Sequence, residues 1–357
     1  MQVQVKKADQ LTPEEIATWK QLQAGNPSLE SPYFHPEFTL AVASVRSDVE
    51  VAVLQKQNQT IGFLPFQRGK LGLAKPVGGK VSDYHGLIAA ADTALDGMEL
   101  LRQCGLSGWD FDHLPVAQTA FAPYSTCTGR SPQMDVRGGL PEYEKRRKAA
   151  GSDVVSKVKQ RVRKTERELG PLELVGDDKD PAVFEQLLAW KSAQYLRTGL
   201  ADVFSFPWTR KLLEELQRRS TPEFGLLTTT LKVNGKVLST LLCLRQNSLV
   251  HGWFTAYDPE MSEHSPGLLH YLKWIEATPN LGIDKIDFGK GEETYKWRFA
   301  TEHVEVLEGT IARPSLGVWL RKSWRATRNL LEGKPGEGGS KGPLSLLKPL
   351  RNWLQFQ

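Results

Sequence analysis

Two periods of apolar and polar positions run through this chain, and the switches between them mark out its elements. Val3 to Val5 alternates as a first strand, and Thr12-Pro13-Glu14-Glu15 then opens a helix with an N-cap, a proline at the first position and early acids. Pro36 to Val45 reads as a short helix after the Asn26-Pro27 and Ser31-Pro32 breaks. Val49 to Leu54 and Ile61 to Phe66 flank the polar Gln55 to Thr60 as a hairpin. Pro76-Val77-Gly78-Gly79 and Asp83-Tyr84-His85-Gly86 form a turn-rich section, followed by a helix near Ala94 to Cys104 and a strand near Trp109 to Phe111. Ser131 to Gly139, rich in chain breakers, is expected to connect two domains.

The second half restarts with a basic helix. Val155, Val158, Val162, Thr165 and Leu169 share one helical face, and charges occupy the other. Asp180-Pro181 starts a helix through Trp190, Lys191 and Tyr195, and another spans Trp208 to Arg219. Leu226 to Val233, Asn234-Gly235 and Lys236 to Leu244 make the clearest hairpin, which Leu249 to Tyr257 extends. Pro259 to Pro266 is a loop, Gly267 to Ala277 a helix, Ile283 to Phe288 a strand, and Val304 to Ile311 a closing strand. Each half has helices, a hairpin, a turn-rich loop and a further strand, a faint repeat of element order rather than of residues.

The length of 357 residues suits two domains, and 40% apolar with 24% charged residues is ordinary for a soluble globular protein. Charge changes the picture more. Between Lys145 and Glu168, ten basic residues stand against three acids, a local +7. Leu316 to Gln357 carries eight basic residues and two glutamates, more than the whole net charge of +5. Such a tail predicts an anionic partner near that end; with Trp319 and Trp324 on a basic amphipathic helix, that partner includes a membrane surface. Three cysteines without metal or disulfide spacing point to a reducing compartment. The N-terminus lacks an apolar signal core, and no run approaches the ~20 apolar residues of a membrane span. The expected location is the cytoplasm, with peripheral contact at the inner membrane face.

The stretch Ile283 to Phe299 is the richest in candidate chemistry. It begins as a buried strand ending at Asp287, turns on Gly289 and Gly291, and enters a short helix carrying Tyr295 and Lys296. Ligands in α/β proteins lie outside the carboxyl ends of strands. Upstream, Ser265-Pro266-Gly267-Leu268 opens a helix whose first backbone N–H groups are free to meet an anion, although the same sequence also serves as an ordinary helix start. Asp287-Phe288-Gly289 echoes a kinase magnesium motif but lacks its partner loops, and the seven histidines never fall at zinc spacing.

Tyr257-Asp258-Pro259, Ser265 to Leu269 and Asp287 to Lys296 together resemble the GNAT-type acyltransferases, in particular the CelD group associated with cellulose biosynthesis and related to the Fem-type aminoacyltransferases. Lys157 to Arg167, Pro76 to Gly79 and Asp83 to Gly86 are similar to that group as well, so the likeness runs from about Ser31 to Ile311. It implies an α/β (α+β) fold of two tandem GNAT-like domains, each a mixed, mostly antiparallel sheet flanked by helices. The expected bounds are an acceptor-side domain at 1–140, a donor-binding acyltransferase domain at 141–314 and a basic tail at 315–357.

The resemblance implies acyl-CoA, most simply acetyl-CoA, as donor substrate, and no metal. Tyr257, Ser265, Gly267, Leu268 and Lys296 would hold the donor, although the turn lacks the basic residue and extra glycines of the usual GNAT donor loop. An amine must be neutral to attack a thioester, so a base is needed, and Asp287, Glu293 and His251 are the candidates. A backbone N–H of Leu249 to Tyr257 would face the oxyanion, and Tyr295 would protonate the leaving thiolate. Asp83, Tyr84, His85 and Tyr195 would line the acceptor site. Glu293 serves equally as a first-turn acid complementing its helix, and Asp83 to His85 equally as a plain turn. The function these imply is N-acyl transfer to an amino sugar or polysaccharide precursor. Two alternatives stay open: a Fem-like transferase using aminoacyl-tRNA, drawn from the basic face of Lys145 to Arg167, and a non-catalytic GNAT-fold protein docking exopolysaccharide machinery or membrane.

Overall fold

A computed structural model describes residues 1–314, so the tail expected from 315 lies outside the described residues. The first half runs β1 (Gln2–Lys7), α1 (Pro13–Ala24), α2 (Pro36–Val45), β2 (Val49–Lys56), β3 (Gln59–Arg68), β4 (Leu73–Lys75), β5 (Ile88–Ala89), α3 (Gly97–Gln103), β6 (Gly108–Pro115) and β7 (Ser125–Asp135). The second runs α4 (Gly139–Ala149), α5 (Val154–Leu169), β8 (Leu172–Val175), α6 (Pro181–Thr198), α7 (Pro207–Arg218), β9 (Phe224–Val233), β10 (Lys236–Gln246), β11 (Leu249–Tyr257), α8 (Pro266–Leu281), β12 (Lys285–Asp287), α9 (Thr294–Phe299) and β13 (Glu302–Ala312).

Local chemistry explains many of the boundaries. The Thr12 hydroxyl accepts from the Glu15 N–H at 3.2 Å, and the Glu15 carboxylate accepts from the Thr12 N–H at 2.9 Å, closing a capping box at the start of α1. Asn234 and Gly235 both have positive φ, 48° and 78°, as the tight turn between β9 and β10 requires. The basic run expected as one helix is two. It breaks between Ala149 and Val154 at Gly151, whose φ is 74°. Val155, Val158, Val162 and Thr165 of α5 are buried as their spacing predicts, while Leu169 is only partly covered.

The strands join into one mixed sheet ordered β1-β2-β3-β4-β6-β13-β7-β12-β11-β10-β9-β8, with β5 paired to β3. Only β4–β6 and β11–β12 are parallel pairs among the described residues. This is a mixed α/β fold with a largely antiparallel sheet flanked by helices. Two features differ from the sequence reading. Residues 131–135, expected in a connection, are the end of the long strand β7. And β13, late in the chain, lies between β6 and β7 of the first half.

The halves also share a core. Trp19, Phe38 and Val42 of the first half and Leu212, Leu213 and Phe254 of the second belong to one buried cluster. Arg219 pairs with Glu37 at 2.8 Å beside it. On the opposite face, α4, α5 and α8 cover the β9–β12 strands through residues such as Tyr143, Val158, Leu272 and Trp274.

Candidate active site

The site forms where β11 and β12 part. They pair in parallel only from Leu249↔Lys285 to His251↔Asp287. Beyond that, β11 runs on to Tyr257, while Phe288 donates its N–H to Pro132 on β7 and the chain leaves the sheet. Past His251, no strand among the described residues pairs with this edge of β11. A Cβ on Gly252 would meet only the Asp287 carbonyl, at 3.5 Å, so the parting begins there. The pairing of β10 with β11 shifts between Leu242↔Phe254 and Cys243↔Gly252, leaving Trp253 outside the ladder. The Trp253 N–H meets the Cys243 thiol, a weak acceptor.

Asp287 ends β12 at the closed end of this opening and is buried. It accepts hydrogen bonds from the Tyr84 hydroxyl (2.7 Å), the Ser131 hydroxyl (2.8 Å), the Gln133 amide (2.6 Å) and the Gly289 N–H (2.7 Å). Burial alone would raise its pKa, but His251 and these donors hold it down to about 2. His251, equally buried, places Nδ1 3.5 Å from Asp287 and Nε2 2.7 Å from the Asp83 carboxylate. Burial would deprotonate it, but the two carboxylates overcome that and raise it to about 9, so the ring is an imidazolium at neutral pH. Tyr33 stands edge-on to the ring at 5.0 Å.

Asp83 reaches this site from the first half. Its side chain is 31% exposed, and His113 and His251 keep it ionised against the effect of burial. The loop is clasped by His85, whose Nδ1–H donates to the Asp83 carbonyl (2.9 Å) while Nε2 accepts from the Asp112 N–H (3.0 Å). That ring is neutral, lowered by burial to about 4. Of the three residues expected to line an acceptor site from this loop, Asp83 alone presents a partly open side chain. Tyr84 and His85 are buried and turned inward.

The other expected residues lie on α6, at the end of β11 and around the start of α9. Lys296 is buried and pairs with the exposed Glu293 at 3.2 Å, and its charge reaches both Asp83 and Lys191. Lys191 donates to the Thr255 carbonyl on β11 at 3.2 Å and sits 5.2 Å from the Tyr195 ring centroid. Tyr195 itself packs with Phe204, the ring centroids 6.3 Å apart. Tyr295 stacks on Tyr271 of α8 at 6.0 Å, with its phenol raised to about 12 by burial and Glu293. Tyr257 is exposed at the far end of β11.

Ser265, with φ of 55°, starts α8 without a side-chain cap, and a Cβ on Gly267 would meet nothing within 4 Å. The helix start is therefore open to an anion. The basic residues absent from the turn come from α5. Arg161 donates to the Ser265 hydroxyl at 3.4 Å, and Lys157, Arg161, Lys164, Leu268, Arg298 and Phe299 line a groove of about 570 Å³.

Sequence reasoning missed Ser131, Gln133, His113 and Asp112. The first two stand two apart on one face of β7, a period-2 signal that the breaker-rich composition concealed. Among the described residues, no group of three or more His, Cys, Asp or Glu side chains is arranged to hold a metal ion. No helix there is long and apolar enough to cross a membrane.

A family model described as an acetyltransferase (GNAT) domain matches residues 152–297. The chain is similar to the structure of FemX, with TM-score 0.56 at 8% identity over 90% of this chain and 99% of that one. It is similar to the C-terminal domain of a putative lysylphosphatidylglycerol synthetase from Agrobacterium fabrum, with TM-score 0.51 at 10% identity over 92% and 98% of the two chains. A tandem GNAT protein from the clavulanic acid biosynthesis pathway gives 0.50 at 11% identity over 88% and 100%. At such identities the likeness is one of fold. No curated protein matches the chain.

Proposed function

We propose that the protein is an N-acyltransferase that moves an acyl group from acyl-CoA to an amine by direct attack on the thioester. One observation carries this reading. The free edge of β11 joins an open, basic helix start to a half-exposed carboxylate on a buried imidazolium. The donor's phosphates would lie at Ser265 to Leu268 against Arg161 and Lys164, held by N–H groups and charge. Its thioester would follow the free edge of β11, where a backbone N–H of that strand would meet the developing oxyanion.

On the acceptor side, Asp83 would hold the ammonium and take its proton, with His251 and Asp287 fixing its position. Asp287 serves as an anchor in this scheme, because its oxygens are already occupied by donors. Tyr295, protonated at neutral pH, would donate to the departing thiolate. The acceptor class, an amino sugar or polysaccharide precursor, rests on the CelD-like resemblance. Incubation with acetyl-CoA and an amine library tests the reading by free-thiol release. No release, together with no CoA binding by calorimetry, overturns it.

A second reading keeps the fold and changes the donor to aminoacyl-tRNA. It draws on the exposed basic row Lys157, Arg161 and Lys164 beside the helix start. A gel shift with charged tRNA that weakens steeply with salt would favour it.

A further inference from the structure

The cluster at the opening continues into the first half. His113 on β6 places Nε2 3.6 Å from Asp83 Oδ1 and Nδ1 3.2 Å from Asp112 Oδ1. Asp112 in turn lines a separate groove of about 380 Å³ bounded by Lys75, Lys80, Asp110, Glu308 and Thr310, between β4, β6 and β13. Carboxylate and imidazole therefore alternate without a break: Asp287, His251, Asp83, His113, Asp112. Their successive contacts are 3.5, 2.7, 3.6 and 3.2 Å. The first two are fully buried; Asp83 and Asp112 are partly exposed, and His113 between them is more covered than either.

An ion-pair network that only neutralises charge needs no such order. Alternation matters for a proton, because an imidazole accepts at one nitrogen and releases from the other. We propose that Asp83, His113 and Asp112 carry the acceptor's proton out of the opening and release it into the groove beside β6 and β13. This rests on the acyl-transfer reading. The ammonium gives one proton to Asp83, which passes it to His113 Nε2. His113, which starts with its proton on Nδ1, releases that proton to Asp112, Asp112 yields it to water in the groove, and the imidazole regains its starting tautomer by proton exchange with solvent. The amine is left neutral, and one proton reaches solvent. A rotation of the half-exposed Asp83 side chain, or one water, closes the 3.6 Å step.

The groups facing this route are few. His251, Lys296 and Tyr33 face Asp83; His85 and Tyr84 pack on His113; His85 and Lys80 face the Asp112 carboxylate, and Lys290 donates to the Asp112 carbonyl at 2.8 Å and pairs with Glu308. Burial would raise Asp112, but His113, His85 and Lys80 keep it ionised, so it holds a proton only in passing before water takes it.

The test measures turnover with acetyl-CoA and an amine from neutral to alkaline pH. His113→Gln should lower kcat on the order of tenfold, less than the ~10²–10⁴ a direct base supplies, and leave KM for the donor unchanged. Asp112→Asn, at the groove rim, should do the same and shift the pH profile. Added imidazole should restore turnover to His113→Gly. Wild-type rates and an unchanged pH profile in both His113→Gln and Asp112→Asn would overturn the route while leaving the transferase standing. If the wild type acylates no amine, the transferase reading fails, and histidine NMR titration decides the route alone. Linked titration of His113 and His251, broken by Asp83→Asn, supports it, and independent titration refutes it.

Discussion

Asp287 and Asp83 hold the same imidazolium from opposite sides, yet their settings differ in every respect that matters. Asp287 is buried, stands at a strand end and accepts from two side-chain hydroxyls, an amide and a backbone N–H. Asp83 rides on a loop and leaves part of its carboxylate to solvent. A carboxylate whose lone pairs are filled fixes geometry; one with open lone pairs binds or moves protons. Chemically identical side chains thus divide the work by environment.

Removing the buried member should cost most. Asp287→Asn leaves the His251 cation buried with one partner fewer, and the expected loss is ~3–5 kcal/mol of stability, read from the chemical denaturation midpoint. Asp83→Asn should cost less stability, since water can reach its place, but lower kcat/KM by ~10²–10⁴. Equal stability losses in the two variants would erase the distinction.

Acid and base act on the same comparison. His251 is raised above its unfolded value to about 9, so its contribution is complete below about pH 6.5 and fades as pH rises through 9. Asp287 is lowered to about 2, so its contribution is present above about pH 4 and fades as pH falls toward 2. Thermal unfolding across pH should show a plateau between these limits, with the alkaline shoulder absent in His251→Gln.

Two smaller effects probe the donor side. Gly252→Ala adds a methyl in ordinary contact with the Asp287 carbonyl, so the fold should persist while donor KM rises on the order of tenfold. Arg161→Ala with Lys164→Ala should weaken CoA binding by calorimetry, by ~1 kcal/mol at low salt and less at high salt.

Much of this was legible before any coordinates. The Thr12 N-cap, the Asn234-Gly235 turn and the buried valines of α5 follow from local chemistry, and Asp287, His251 and Asp83 stood out as residue types. What joined them was not legible. Asp83 meets His251 and Gln133 meets Asp287 across more than a hundred residues, through strand neighbours that no local pattern specifies. The basic contribution to the helix start comes not from the turn itself but from α5, another element, and no local pattern in the turn announces it. His85 and Tyr84 read as cleft residues because a turn of polar side chains looks alike whether it faces water or a neighbouring sheet.

The position of β13 has a consequence for synthesis. A ribosome finishes β6 and β7 some 170 residues before it makes the strand that lies between them. Until β12 and β13 are made, β6 has one unmatched backbone edge and β7 has two, and these invite pairing with other nascent chains. Folding of the first half thus waits on translation through β13, and a chain cut short before Glu302 would lack the piece that closes the gap between β6 and β7.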